Sequence, residues 1–337
     1  MCRSALKKQS SDVLLDTIEL TSESFTEPTK ETYHKRLKRK GETEEIILQL
    51  ITLQSSLEEK YRDTLQCGVA VKKCKNTSSG RIKPQTMFCG NRWCSVCNNR
   101  KTSELIRAYK PALQELKDPQ LVTLTIPAVD VTYKAITSAM DQMFKSFSKA
   151  KDLLRKRGYK LTGIRKLEIN YNTQKRTCNP HFHFIVDGYQ EAKELQDLWL
   201  TYFPEASILA QDIRKAKEGT LLEVFKYTSK QISKMETFDP EMVDTIYQAL
   251  AGRRTIQTFG SFKKASVSSQ NYQEDIDLTP EEIEAERGNW EVIDVYYWKP
   301  SQLNWINSRG EKLTYDLTEK ERRRIDILKR QRLKRAI

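Results

Sequence analysis

The sequence predicts an α+β protein: a central antiparallel sheet flanked by helices, preceded by a small Cys-rich zinc module and carrying helical N- and C-terminal extensions. Three observations lead there. Short alternating or β-branched segments recur between residues 121 and 187, the period-2 pattern of half-buried strands. Longer stretches with apolar residues at helical spacing lie between and after them. Five of the seven cysteines fall within residues 61–100, and an odd total argues against a disulfide framework.

In chain order, residues 1–60 read as a polar N-terminal arm and a helix, with Ile46, Ile47, Leu50 and Leu53 near helical spacing. His34, in the basic run HKRLKRK, is expected to be solvated. Residues 61–110 are the cysteine module; SELIRAYKPALQEL then reads as a helix that Pro119 follows. Residues 111–265 form the main domain. LVTLTI (121–126) is a strand. Residues 131–157 carry Ile136, Met140, Met143, Phe144 and Phe147 on a long amphipathic helix that stops near Gly158. GIRKLEINYN and PHFHFIVDG are strands joined by a polar turn. Next come a helix (EAKELQDLWLTYF), a short strand (SILAQDI), a helix (GTLLEVFKYTSKQISK) and a closing strand pair (GRRTIQTFGSF). Residues 266–337 hold an acidic segment and a strongly basic tail, which is either a DNA-contacting helix or a solvated end.

The chain has 337 residues, 38% of them hydrophobic, enough to bury a proper core. Its formal net charge of +13 favours a polyanionic partner, since lysines and arginines displace the counterions condensed on phosphates. There is no apolar run long enough to span a bilayer and no signal-peptide core. The expectation is a cytoplasmic protein with no membrane partner.

Only three histidines occur, and two are His181 and His183. On a strand, residues i and i+2 share a face. Phe182, Phe184 and Val186 then face the core, and two imidazoles stand side by side on the polar face. The preceding strand divides the same way, with Leu167, Ile169 and Tyr171 on one face and Lys166, Glu168 and Asn170 on the other. Pairing the two as a hairpin with apolar faces aligned puts Glu168 beside the histidines. One carboxylate and two imidazoles suit Mg²⁺ or Mn²⁺. In LVTLTI, Thr123 and Thr125 point to the same side. The plainer alternative is a set of ordinary exposed strand residues.

In EVFKYTSK, Glu223, Tyr227 and Lys230 lie at i, i+4 and i+7, along one helix face. A tyrosine is a poor nucleophile at its usual pKa of about 10; a nearby ammonium and a metal-bound phosphate both favour its attack. A carboxylate one turn away suits a general base. Glu223 also fits a capping box with Thr220, and Tyr227 is one of fourteen tyrosines.

Cys89, Cys94 and Cys97 follow C-x4-C-x2-C, and C-x2-C is the usual half of a structural zinc site. Cys67 and Cys74 both stand as the fourth ligand. The plainer alternative is reduced, unligated cysteines. A closed site would tie this segment together and present Lys72, Lys73, Lys75 and Arg92 to DNA.

Together these residues resemble the rolling-circle replication initiators (Rep) of small bacterial plasmids, within the HUH endonuclease superfamily. LVTLTIP (121–127) is similar to the family's first motif, NPHFHFIVD (179–187) to its HUH motif, and EVFKYTSK (223–230) to its tyrosine motif. FCGNRWCSVCNNRKT (88–102) and GRRTIQTFGSFKKA (252–265) resemble further blocks. The resemblance covers about residues 61–265. It implies an HUH-type core with the histidine strand central and the tyrosine helix beside it. It implies Tyr227, Glu223 and Lys230 as catalytic residues, with His181, His183 and Glu168 holding Mg²⁺ or Mn²⁺. It favours Cys67, with Cys89, Cys94 and Cys97, on structural Zn²⁺, and Thr123, Thr125, Lys166 and Arg92 near DNA. It further implies nicking of a plasmid origin, single-stranded or in a hairpin, through a 5′-phosphotyrosyl intermediate, with host helicase and polymerase as partners. Monomer and dimer both stay open.

Two other readings compete. A relaxase or transposase would share the chemistry on another target. A zinc-containing DNA-binding regulator would use the basic surface without catalysis.

Overall fold

One long strand organises the chain, whose residues 30–217, 224, 238–263 and 289–335 are described by a computed structural model. Strand β6 (Thr177–Asp187) has antiparallel neighbours on both sides, β5 (Gly163–Asn172) and β3 (Pro119–Thr125). Beyond β3 lies β7 (Asp212–Lys215) and beyond β5 lies β8 (Ile256–Phe259); the short β4 (Val129–Asp130) caps the start of β6.

The phenylalanines of β6 explain which face is buried. Phe182, Phe184 and Val186 join Leu167, Ile169, Val122 and Leu124 against three helices. These are α4 (Tyr133–Lys156), α5 (Tyr189–Tyr202) and α6 (Pro240–Leu250). Thr132 caps α4 by accepting the Ala135 N–H, and Asp239 caps α6 by accepting that of Met242 with Pro240 in the first turn. The hairpin register depends on Gly163: a Cβ there would come within 1.9 Å of the Ile185 carbonyl oxygen.

The other face is divided. At one end α3 (Ser95–Gln114) packs Ile106 and Leu113 onto Leu121, Ile164 and Ile185. Phe262 and Val224 complete that cluster. The polar side chains of β3, β5 and β6 occupy the other end.

A second sheet joins distant parts of the chain. β1 (Ala70–Asn76) pairs with β2 (Ile82–Thr86) on one edge and with β9 (Trp290–Lys299) on the other, and β10 (Asn304–Ile306) closes the far side. Its apolar face, with Val71, Tyr296, Trp298 and Trp305, meets Tyr33 and Leu37 of α1 (Lys30–Ile51) and Ile325 of α7 (Glu319–Arg335). The short α2 (Glu58–Leu65) sends Tyr61 into a cluster with Trp93, Tyr247 and Leu328.

Several expectations are corrected. Of the two readings of the basic tail, the solvated end is replaced by a packed helix: α7 buries Ile325 and Leu328 and pairs Arg332 with Glu45 and Arg324 with Glu42 on α1. His34 is buried, not solvated; its Nε2 is 3.0 Å from Glu321, and its ring lies 4.5 Å from that of Tyr315. The expected closing strand pair is the single strand β8, because residues 251–255 turn, with Gly252 at φ +72°. SILAQDI splits into a 3-10 turn (Ile208–Ala210) and β7. The helix expected over 219–234 falls almost wholly outside the described residues, as do the arm up to residue 29 and the acidic stretch 264–288.

Candidate active site and metal centres

Period-2 geometry and the hairpin register bring three ligands to one point. Glu168 is the partner of His181, and Lys166 of His183, across β5–β6; on the other side Thr125 pairs with His181 and Thr123 with His183. All six therefore share one face. Glu168 Oε2 lies 3.6 Å from His181 Nε2 and 3.5 Å from His183 Nε2. Cis ligands at ~2.1 Å from one cation lie ~3 Å apart, so a small inward movement suffices to share an ion.

Hydrogen bonds outside the cluster set the ring nitrogens. His181 Nδ1 lies 3.0 Å from the Asn179 carbonyl, which only accepts, so the proton sits on Nδ1 and the lone pair of Nε2 faces the carboxylate. Thr123 Oγ1 meets His183 Nδ1 at 3.0 Å and turns that ring the same way. A lone pair aimed at a carboxylate is unfavourable without a proton or cation between them. That is the observation on which a metal fits here: the donor set is two imidazoles and one carboxylate, suited to Mn²⁺ or Mg²⁺ with further positions for water or phosphate oxygens.

Lys166 completes the charge balance. Its side chain is only 2% exposed, and its ammonium donates to Glu168 Oε1. Burial pushes the Glu168 carboxyl up, but the two imidazoles and the Lys166 ammonium beside it outweigh burial and hold the group well below the usual carboxylate range. The expected role of Lys166 as a DNA contact is therefore replaced by one inside the protein. Thr125 is also held internally. Its N–H donates to Gln211 Oε1 at 2.7 Å and its carbonyl accepts from Trp199 Nε1 at 2.8 Å. The sequence does not mark Asn179, Gln211 and Trp199 equally for this role. Only Asn179, two residues before His181, left a local signal there.

Glu223, Tyr227 and Lys230 lie outside the described residues. Val224 is described, and it is buried in the cluster under α3, on the face of the sheet that carries His181, His183 and Glu168.

The second group of converging ligands is Cys67, Cys89, Cys94 and Cys97. The Sγ atoms of Cys67 and Cys97 are 3.4 Å apart, those of Cys89 and Cys97 3.6 Å, and those of Cys67 and Cys94 3.6 Å. Four thiolates at ~2.3 Å from a tetrahedral zinc lie ~3.8 Å apart, so the set fits Zn²⁺ with little change. Cys67 follows α2, Cys89 follows β2, and Cys94 and Cys97 sit at the N-terminus of α3, where the helix dipole favours thiolates. Lys40 points its buried ammonium toward these sulfurs, anchored 2.9 Å from the Leu65 carbonyl. Cys74 is elsewhere, on β1 opposite Lys83 and Val292. Arg92 bonds the end of α6, donating to the carbonyls of Leu250 at 2.9 Å and Arg253 at 3.1 Å.

With this geometry in view, comparison with known proteins assigns the class. Residues 81–306, more than half of the chain, match the replication protein family Rep_1, and the chain belongs to it. It is a plasmid replication initiator of the Rep type, similar to "Protein rep" of Streptococcus pneumoniae at 24% identity over 60% of this chain and 72% of the relative. It is similar also to "Protein rep" of Lentilactobacillus hilgardii (26%, covering 65% and 77%) and of Staphylococcus aureus (29%, covering 42% and 69%). No solved structure matches the chain. Among the described residues no helix is long and apolar enough to cross a membrane.

Proposed function

We propose that this chain is a metal-dependent nickase with an HUH-type core that starts rolling-circle replication at a plasmid double-strand origin. The observation that carries the reading is the convergence of His181, His183 and Glu168, with the His181 proton directed away from the carboxylate by Asn179.

Tyr227 attacks the scissile phosphorus of single-stranded or hairpin origin DNA. An Oη–P bond forms and the P–O3′ bond breaks. The phenolic proton goes to a base and the departing 3′ oxygen gains one, leaving a 5′-phosphotyrosyl protein and a 3′-OH that primes a host polymerase beside a host helicase. A cation held by His181, His183 and Glu168 supplies Lewis-acid polarisation of the phosphate. Lys230 favours the phenolate, and Glu223 serves as base in the terminating cleavage. Thr123 orients His183, and Lys166 keeps Glu168 ionised and in place. The four cysteines hold structural zinc.

The test is a labelled single strand of the origin incubated with Mn²⁺. A covalent protein–DNA adduct is expected, with mass spectrometry locating the link at Tyr227, and Tyr227→Phe abolishes it. An adduct formed undiminished by the phenylalanine variant would refute Tyr227 as nucleophile.

A further inference from the structure

Beside the metal ligands, on the same face of the sheet, lies a cavity of about 260 Å³ that none of the chemistry above uses. It sits where α3 crosses the turn between α6 and β8. Leu105, Tyr109 and Ile256 make up the apolar part of its wall, and Arg92, Arg253 and Arg254 the cationic part. Among the described residues no carboxylate lines it.

The three arginines differ. Arg92 is tied to backbone carbonyls, and Arg253 is paired with Asp141. Arg254 is exposed and has no hydrogen-bond or ion-pair partner among the described residues. Among the described residues its guanidinium is thus uncommitted, it lines the cavity from an exposed position, and a guanidinium binds phosphate with a matched fork of donors. The apolar wall carries an aromatic platform: Tyr109 stacks on Phe262 with ring centroids 5.8 Å apart and planes 20° from parallel. Phosphate-binding cations and an aromatic surface in one cavity are what a nucleotide of a single strand requires. The volume is below the roughly 300–1,000 Å³ of sites for drug-sized ligands, which favours one nucleotide unit over a whole small molecule.

Its position supports a strand. Ile256 is the register partner of Lys166, two residues along β5 from Glu168. With strands ~4.8 Å apart and ~3.3 Å of rise per residue, Ile256 lies roughly 8 Å from Glu168 along the sheet. A strand whose scissile phosphate sits at the metal ligands reaches the cavity within a very few nucleotides.

We propose that this cavity binds one nucleotide of the single-stranded substrate near the nick, its phosphate on Arg254 and its base against the Tyr109 wall. The inference rests on the nicking reading for the identity of the strand, and its test is a binding measurement that needs no cleavage. The protein's own origin strand is prepared as a set of oligonucleotides, each with one neutral methylphosphonate at a successive position. Binding to the full-length chain is followed by fluorescence anisotropy without divalent metal. For the unaltered protein, one position is expected to lower affinity about tenfold, the scale of one charge-assisted hydrogen bond. Arg254→Ala should bind the unmodified strand about tenfold more weakly and lose its sensitivity at that one position, while Arg254→Lys keeps part of it. Tyr109→Leu should abolish the difference between a normal and an abasic nucleotide at the same place. Arg254→Ala weakening all positions alike would show diffuse electrostatics and overturn the proposal, as would unchanged affinity. The absence of a covalent adduct in the separate nicking assay would refute the nickase reading and leave this binding pattern intact.

Discussion

Replacing Glu168 by Gln keeps the shape of the side chain and removes its charge, which makes two separable effects measurable. The first is on stability. Lys166 is almost fully buried with Glu168 Oε1 as its acceptor, and removing one partner of a buried ion pair costs about 3–5 kcal/mol because the other charge stays uncompensated. At ~2–4 °C per kcal/mol for a protein of this size, Tm should fall by roughly 6–20 °C. The second is on the metal. Altering a residue that merely orients a ligand lowers affinity ~10–100-fold, so loss of the single carboxylate in the set should cost on the order of 100-fold or more. Differential scanning fluorimetry with and without Mn²⁺ reads both. The unaltered protein should melt higher with Mn²⁺, since a ligand at 100 times its Kd adds about 2.7 kcal/mol. Glu168→Gln should melt lower in the absence of metal and show no Mn²⁺-dependent rise. A variant that keeps the Mn²⁺ shift would remove Glu168 from the ligand set, and an unchanged metal-free Tm would refute the role given to the Lys166 pair.

The remaining predictions concern the zinc module, pH and the hairpin. Metal analysis should find one zinc per chain, lost in Cys67→Ser and retained in Cys74→Ser; the reverse would assign the fourth ligand to β1. In metal-free protein, Glu168 and Glu321 are both held below their ordinary values, Glu321 down to about 2: burial pushes it up, and the Thr318 N–H and hydroxyl together with His34 outweigh that. Depressed folded-state values mean stability that is fully present above about pH 4.5 and is lost as pH falls through that value toward 2 and below. Acid titration of the melting temperature should show that loss, and Glu321→Gln should shrink it. Gly163→Ala should destabilise by about 2–4 kcal/mol, since the clash is with backbone at Ile185; a soluble variant with unchanged Tm would show that the β5–β6 register tolerates a shift.

What could be read from the sequence follows from the range of the interactions. The His181–His183 face, Glu168 opposite it and the threonines on the adjoining strand are consequences of strand periodicity and a single short hairpin. The burial of Lys166 has the same local origin, but a lysine in a strand pattern carries no mark of whether it meets water or a carboxylate. Cys67 and Cys74 are equivalent as letters, and only the path of the chain after α2 separates them. The pairing of β1 with β9, the burial of His34 beneath Tyr315 and the cavity beside Ile256 each join residues more than 140 positions apart. Nothing local encodes such meetings. The basic tail left a helix and a solvated end both open because its charges dominate the composition, whereas Ile325 and Leu328 decide which side of α7 is inward.

The strand partnership of residues 70–76 with residues 290–299 also has a consequence for synthesis. At ~5–20 residues per second, a ribosome takes ten seconds or more between making the first partner and the second. Until then one edge of β1 lacks its neighbour, and α1 lacks the helix that covers it. A polypeptide cut short by premature termination before residue 290 would keep the histidines and the cysteines yet leave that edge bare and open to proteolysis. Completion of the message is thereby built into the architecture as a condition for a durable initiator.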